Sequence, residues 1–140
     1  MRRFVLVAAV VTMAVTACGK SSSSSGSLSS YCAFVKANRT ALSGDNLAGA
    51  KDLKDLGTRV DDSLAIMKSS VSNAPSEVKS DINQVIGAIV VLQKLIKDAN
   101  GDESKLNQSK VQSVLQNDAN VKANERLQKF NKDRCNVDTS

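Results

Sequence analysis

Val85-Ile86-Gly87-Ala88-Ile89-Val90-Val91-Leu92 is an eight-residue run without a charged side chain, and the limits of the helix around it are written in the flanking residues. Asn73, Ala74 and Pro75 break the chain ahead of it. Proline suits a first helical turn, where its missing N–H costs nothing, and Glu77 favours the positive end of the helix dipole. Asn100-Gly101 stops the helix after about Ala99. Because the run is apolar on nearly every side, it predicts a covered, central helix in which Ile89 is buried. Gly87 has two readings within it. It allows a neighbouring helix to approach closely, the preferred reading, or it floors a small apolar pocket together with Val85, Ile89 and Leu92.

The same period extends upstream. Leu47, Ala50, Leu53, Leu56, Val60, Leu64, Met67 and Val71 recur at spacings of three and four, one stripe of a long helix from about Asn46 to Val71. A shorter helix near Tyr31 to Leu42 precedes it and ends at Ser43-Gly44-Asp45. Downstream, Val111, Val114 and Leu115 share one helical face, whereas Ala123, Leu127 and Phe130 point roughly 120° away at about 100° per residue. The stripe slips, so a kink or break is expected near Asn117 to Asn120, with Asp118 capping the second piece. No stretch alternates convincingly with period two.

The chain starts differently. Met1-Arg2-Arg3 is a short cationic segment and Phe4 to Ala17 is apolar residues and threonine, the layout of a secretory signal peptide. Crossing a bilayer takes about 20 apolar residues, and Phe4 to Ala17 supplies 14. Val15-Thr16-Ala17-Cys18 closes the segment and resembles the lipobox of bacterial lipoproteins, with Val15 where leucine is commoner. The resemblance covers residues 1–18. It implies that residues 1–17 are removed and that Cys18 becomes a diacylglyceryl-bearing, palmitate-type N-terminus. Gly19 to Ser30 then holds eight serines and reads as a flexible tether over residues 18–30, with a reach of about 40 Å.

Three cysteines would leave a free thiol in an exported chain, and lipidation of Cys18 resolves the count. Cys32 and Cys135 then remain as an even pair in an oxidising compartment, predicting a disulfide, with two reduced buried cysteines as the alternative. A disulfide needs Cα atoms within about 7 Å, so the start of the first helix and the end of the last lie together. An even number of spanning helices meets that condition. The expected fold is therefore all-α: an antiparallel four-helix bundle over residues 31–135, its last helix broken, closed by the terminal disulfide and followed by a tail at 136–140. Tyr31-Cys32 at the start, and Asn124-Glu125-Arg126-Leu127-Gln128-Lys129-Phe130 before Cys135, also resemble small exported helical proteins of actinobacteria. That group implies no common biochemical role.

Composition narrows the chemistry. Without Arg2 and Arg3, 17 basic residues face 14 acidic ones, a net charge of +3 scattered over the chain, which reads as a solvated mixed surface with no nucleic acid partner. The chain has no histidine and no tryptophan, so Ser-His and Cys-His pairs and imidazole metal sites are excluded. Ser76-Glu77-Val78-Lys79 matches the S-x-x-K pattern of penicillin-binding proteins, but no K-T-G or S-D-N accompanies it. Asp98-Ala99-Asn100-Gly101-Asp102 begins like a calcium loop, then places Glu103 where glycine is needed and Ser109 where a bidentate glutamate is needed. Asp61-Asp62 is a short acidic pair on a helix. The expectation is a non-enzymatic module with no catalytic residues, metal or cofactor, held by its lipid on the outer face of the bacterial cytoplasmic membrane and binding an envelope protein. The alternative is a carrier of a small apolar ligand, favoured by a cavity that opens to solvent along Val85, Ile89 or Leu92.

Overall fold

The computed structural model describes residues 26–139. The expected signal peptide, Cys18 and the first part of the tether lie outside the described residues. Within them the chain is helical, with seven α-helices, one 3₁₀ turn at Glu103–Lys105 and no strand. No described helix is long and apolar enough to cross a membrane.

Helix α1 (Leu28–Ala37) begins three residues before the expected boundary, because Ser27 caps it by accepting from the Ser30 N–H at 3.1 Å. The end of the serine-rich segment is thus already helix. Gly26, just before it, lies so close to the Asn73 backbone that a side chain there would overlap it. A bend at Asn38 separates α1 from α2 (Arg39–Leu42), and Ser43 separates α2 from α3 (Gly44–Ala48).

The expected single helix from Asn46 to Val71 is two helices. After α3 the chain leaves helical geometry and restarts as α4 (Leu53–Asn73). Asp52 caps α4 by accepting from the Asp55 N–H at 2.7 Å, and the Asp55 carboxylate accepts from the Lys51 N–H at 3.0 Å. This reciprocal cap satisfies amides that a continuous helix would have paired internally.

Helix α5 (Ser76–Ala99) has the expected limits. Pro75 is its N-cap residue, and Asn100 (φ 48°) and Gly101 (φ 80°) end it in left-handed geometry. The break in the last region also falls where the stripe slips, between α6 (Gln108–Leu115) and α7 (Asp118–Cys135). The capping residue is Asn117, not Asp118. Its Oδ1 accepts from the N–H groups of Ala119 and Asn120.

Helix α5 packs most extensively on α4 and on α7, while α1 lies against α4 and α7. Two apolar cores result. One gathers Tyr31, Val35, Ala74, Val78, Ile82, Leu127, Cys135 and Val137; the other gathers Leu53, Val60, Ile96 and Ala99. Val78, Ile82, Val85, Ile89, Leu92, Ile96 and Ala99 recur at three and four along α5, so its two ends are anchored in different cores.

Two expectations are corrected here. The run Val85 to Leu92 is not the covered centre: none of its residues is fully buried, and Val90 and Val91 are 40 and 45 % exposed on the outer face. Residues 136–139 are not a free tail. Asn136, with φ 53°, turns the chain so that Val137 and Thr139 are buried, and Arg39 Nε donates to the Asp138 carbonyl at 2.9 Å.

Cys32 and Cys135 form a disulfide with Cα atoms 5.0 Å apart. Beside it the Tyr31 and Phe130 rings meet edge to face at 5.9 Å, and the Arg134 guanidinium sits 5.6 Å from the Phe130 ring centre.

Candidate functional site

Between the two cores the packing opens into a cavity of about 510 Å³, within the size range of small-molecule sites. Two of the breaks in the helical layout face it. Ala41, Leu42, Ser43, Gly44 and Leu47 line it from the α2–α3 junction, and Val114, Leu115, Asn120 and Val121 line it from the α6–α7 junction. Short, interrupted helices cannot present a continuous apolar ridge along the middle of α5, so the space opposite that middle stays unfilled. Leu115 and Val121, 58 and 38 % exposed, stand at its mouth.

Helix α5 supplies Ile82, Val85, Ala88, Ile89 and Leu92 to the wall, and the floor is made by buried Tyr31, Val35 and Leu127. Three of the four residues singled out for a pocket, Val85, Ile89 and Leu92, therefore line this cavity. Gly87 does not. It is exposed, and a Cβ added there would meet nothing within 4 Å, so it floors no pocket and admits no neighbouring helix. Between α4 and α5 the glycine at a close approach is Gly57 on α4, where a Cβ would come within 3.2 Å of Ile96 Cγ2. Gly87→Ala should accordingly stabilise the protein by about 0.5–1 kcal/mol, the ordinary gain of alanine over glycine inside a helix. Chemical denaturation would detect it, and destabilisation would show that something packs on that face.

The buried polar groups around the cavity are already satisfied. The Tyr31 hydroxyl donates to Asn131 Oδ1 at 3.0 Å, and Asn131 Nδ2 donates to Thr139 Oγ1 at 3.4 Å. Ser63 Oγ donates to the Ala41 carbonyl at 2.9 Å and Ser70 Oγ to the Met67 carbonyl at 2.7 Å. At the mouth, Asn120 accepts from Gln84 Nε2 at 2.7 Å and donates to the Val114 carbonyl at 2.9 Å. No buried side-chain nitrogen or oxygen among the described residues lacks a partner. The cavity thus offers an apolar interior with its hydrogen bonds closed on themselves.

Burial pushes the Tyr31 phenol up to about 12, against the opposing effect of its hydrogen bond to Asn131. The unfolded phenol ionises near 10, so between these values the folded state holds a proton that the unfolded state has lost. The contribution of this group is whole below pH 10 and is lost as pH rises toward 12, by roughly 2–3 kcal/mol in all. Tyr31→Phe should flatten that part of the stability-against-pH curve. An unchanged slope in the variant would place the loss elsewhere.

The other sequence candidates do not converge on a site. Asp61 accepts from Gln93 Nε2 at 2.6 Å and pairs with Lys97 at 3.3 Å, which together hold its carboxyl below the usual carboxylate range. Asp102 caps the 3₁₀ turn by accepting from the Ser104 N–H and hydroxyl. Asp98 pairs with Lys94 at 2.9 Å on the surface. Ser76 is an exposed first-turn residue of α5. No group of three or more acidic, cysteine or histidine side chains suited to a metal ion occurs among the described residues.

Comparison with known proteins adds no family to this description. No protein-family model, curated protein or solved structure matches the chain. The cavity must be read from its own chemistry. What sequence reasoning missed was its far side: the wall from α2–α3 and α6–α7, and the floor from α1 and α7. The α6–α7 signal was the stripe slip itself, since a change of face in mid-helix leaves a seam.

Proposed function

We propose that the protein is a lipid-anchored, extracytoplasmic binding protein that holds a small apolar ligand in the cavity along α5. The observation that carries this reading is the cavity of about 510 Å³ lined by Val85, Ile89 and Leu92 and opening past Leu115 and Val121. Apolar ligand sites between helices of a bundle have this character. It favours a carrier over a module that recognises an envelope protein through its outer surface.

The anchoring half of the reading, with the body on the outer face of the bacterial cytoplasmic membrane, is supported by the lipobox-like Val15-Thr16-Ala17-Cys18. The body we read as an antiparallel four-helix bundle, with α1–α2, α3–α4, α5 and α6–α7 as its layers. In support, the two cysteines meet from opposite ends of the chain, and α5 packs on both α4 and α7. We assign it no catalytic role and no metal or cofactor.

The full-chain Cys18→Ser variant, free of lipid, should bind the neutral fluorophore N-phenyl-1-naphthylamine saturably. Ala88→Trp, which places a large ring in the cavity, should abolish that binding while leaving the far-ultraviolet circular dichroism unchanged. Equal binding by both proteins would overturn the carrier reading. Metabolic labelling with a fatty-acid analogue should mark the wild type and not Cys18→Ser; equal labelling would overturn the anchor.

A further inference from the structure

The charge distribution around the cavity narrows what it holds. Among the described residues that line it, Glu125 is the single charged side chain, and no lysine or arginine takes part. Glu125 is exposed at the rim, beside the neutral amides of Asn124 and Gln128. Deeper in, three hydroxyl donors are spent, that of Tyr31 on Asn131 and those of Ser63 and Ser70 on backbone carbonyls. A carboxylate or phosphate drawn inside would find no counter-ion, which makes its burial costly. At the rim it would meet the Glu125 carboxylate. A cationic head would meet that one carboxylate and no aromatic face, since the aromatic lining residue, Tyr31, is buried in the floor.

A second, shallower hollow of about 250 Å³ adjoins the rim through Glu125 and Gln128, and Lys129, Lys132 and Asp138 complete it. Two acids and two bases make it polar without a net charge. Lys129 is already held by Asp133 at 2.7 Å. Such a surface offers both donors and acceptors to hydroxyl groups and does not select for an ion.

We infer that the ligand is an uncharged single-chain amphiphile, a glycerol monoester or long-chain alcohol, with its chain against Ile82, Val85, Ile89 and Leu127 and its hydroxyl-bearing head in the hollow beside Glu125 and Gln128. The inference rests on the reading of the cavity as a ligand site. Its basis is complementarity: an apolar interior that supplies no charge, and a neutral polar shelf at the mouth.

The test is displacement of N-phenyl-1-naphthylamine from the full-chain Cys18→Ser protein at neutral pH by monodecanoin, decanol, decanoate and decylammonium. Monodecanoin and decanol should displace the probe at concentrations about tenfold or more below those of either ion. In Glu125→Lys, decanoate should gain about tenfold relative to monodecanoin, a change in preference that general hydrophobicity does not produce. Displacement by decanoate or decylammonium as readily as by monodecanoin would overturn the inference and leave the carrier reading standing. Failure of the probe itself to bind would overturn the carrier reading, and the inference with it.

Discussion

The double variant Cys32→Ser/Cys135→Ser should unfold with about 4–5 kcal/mol less stability than the oxidised protein. The cross-link spans a sequence separation of 103 residues, and closing a loop of that size removes denatured-state entropy worth about 4.7 kcal/mol in the chain-entropy model. The native cost of the bond is shared with its surroundings. Cys135 is buried at the end of α7 in the core that contains Tyr31 and Val35, so α1 is docked by packing as well as by the bond. Urea unfolding of both forms gives the difference directly, provided the slopes agree. A loss below about 1 kcal/mol would mean that α1 and the end of α7 stay associated in the unfolded chain. A functional consequence follows from the same geometry. Tyr31 and Val35 on α1 form part of the cavity floor, so a frayed α1 should weaken binding of an apolar probe before the rest of the body melts.

That pairing was legible because counting cysteines needs no packing information. Helix ends were legible where backbone chemistry marks them: Asn100-Gly101 after α5, and the change of face before α7. The break between α3 and α4 was missed for a physical reason. Leu47, Ala50 and Leu53 keep helical spacing across a segment that is not helical. Asp52 with Asp55 three residues on was the available signal, since an acid at the cap and another reaching back mark a helix start. Ser27 as a cap was hidden among the other serines. The cavity was half legible. The apolar character of Val85 to Leu92 shows that α5 seeks apolar neighbours, but whether neighbours of sufficient length stand opposite depends on α2, α3 and α6, whose shortness is a tertiary fact. Hydrophobicity specifies the demand for burial, not its supply.

That difference sets the expected ranking along α5. Ile82 is 1 % exposed, inside the core with Tyr31, Val35 and Leu127. Ile82→Ala should therefore cost about 2–5 kcal/mol, the transfer loss of the removed methyls plus the space they leave. The upper part of that range is expected, because Ile82 is enclosed almost completely by its neighbours. Ile89, also on the α5 wall but half-buried beside the same void, already lacks partner atoms on its open side. Ile89→Ala should cost about 1–2 kcal/mol, since part of its surface is not removed from water or from empty space by folding. Val90→Ala, on the outer face at 40 % exposure, should stay within about 0.5 kcal/mol, as surface substitutions do. Urea unfolding of the three variants reads the order. An Ile89→Ala loss equal to that of Ile82→Ala would show that α2, α3 and α6 close onto α5 in solution and that no cavity waits there for a ligand. With the order Ile82, Ile89, Val90 preserved, saturating monodecanoin should restore stability to Ile89→Ala by occupying the space beside it.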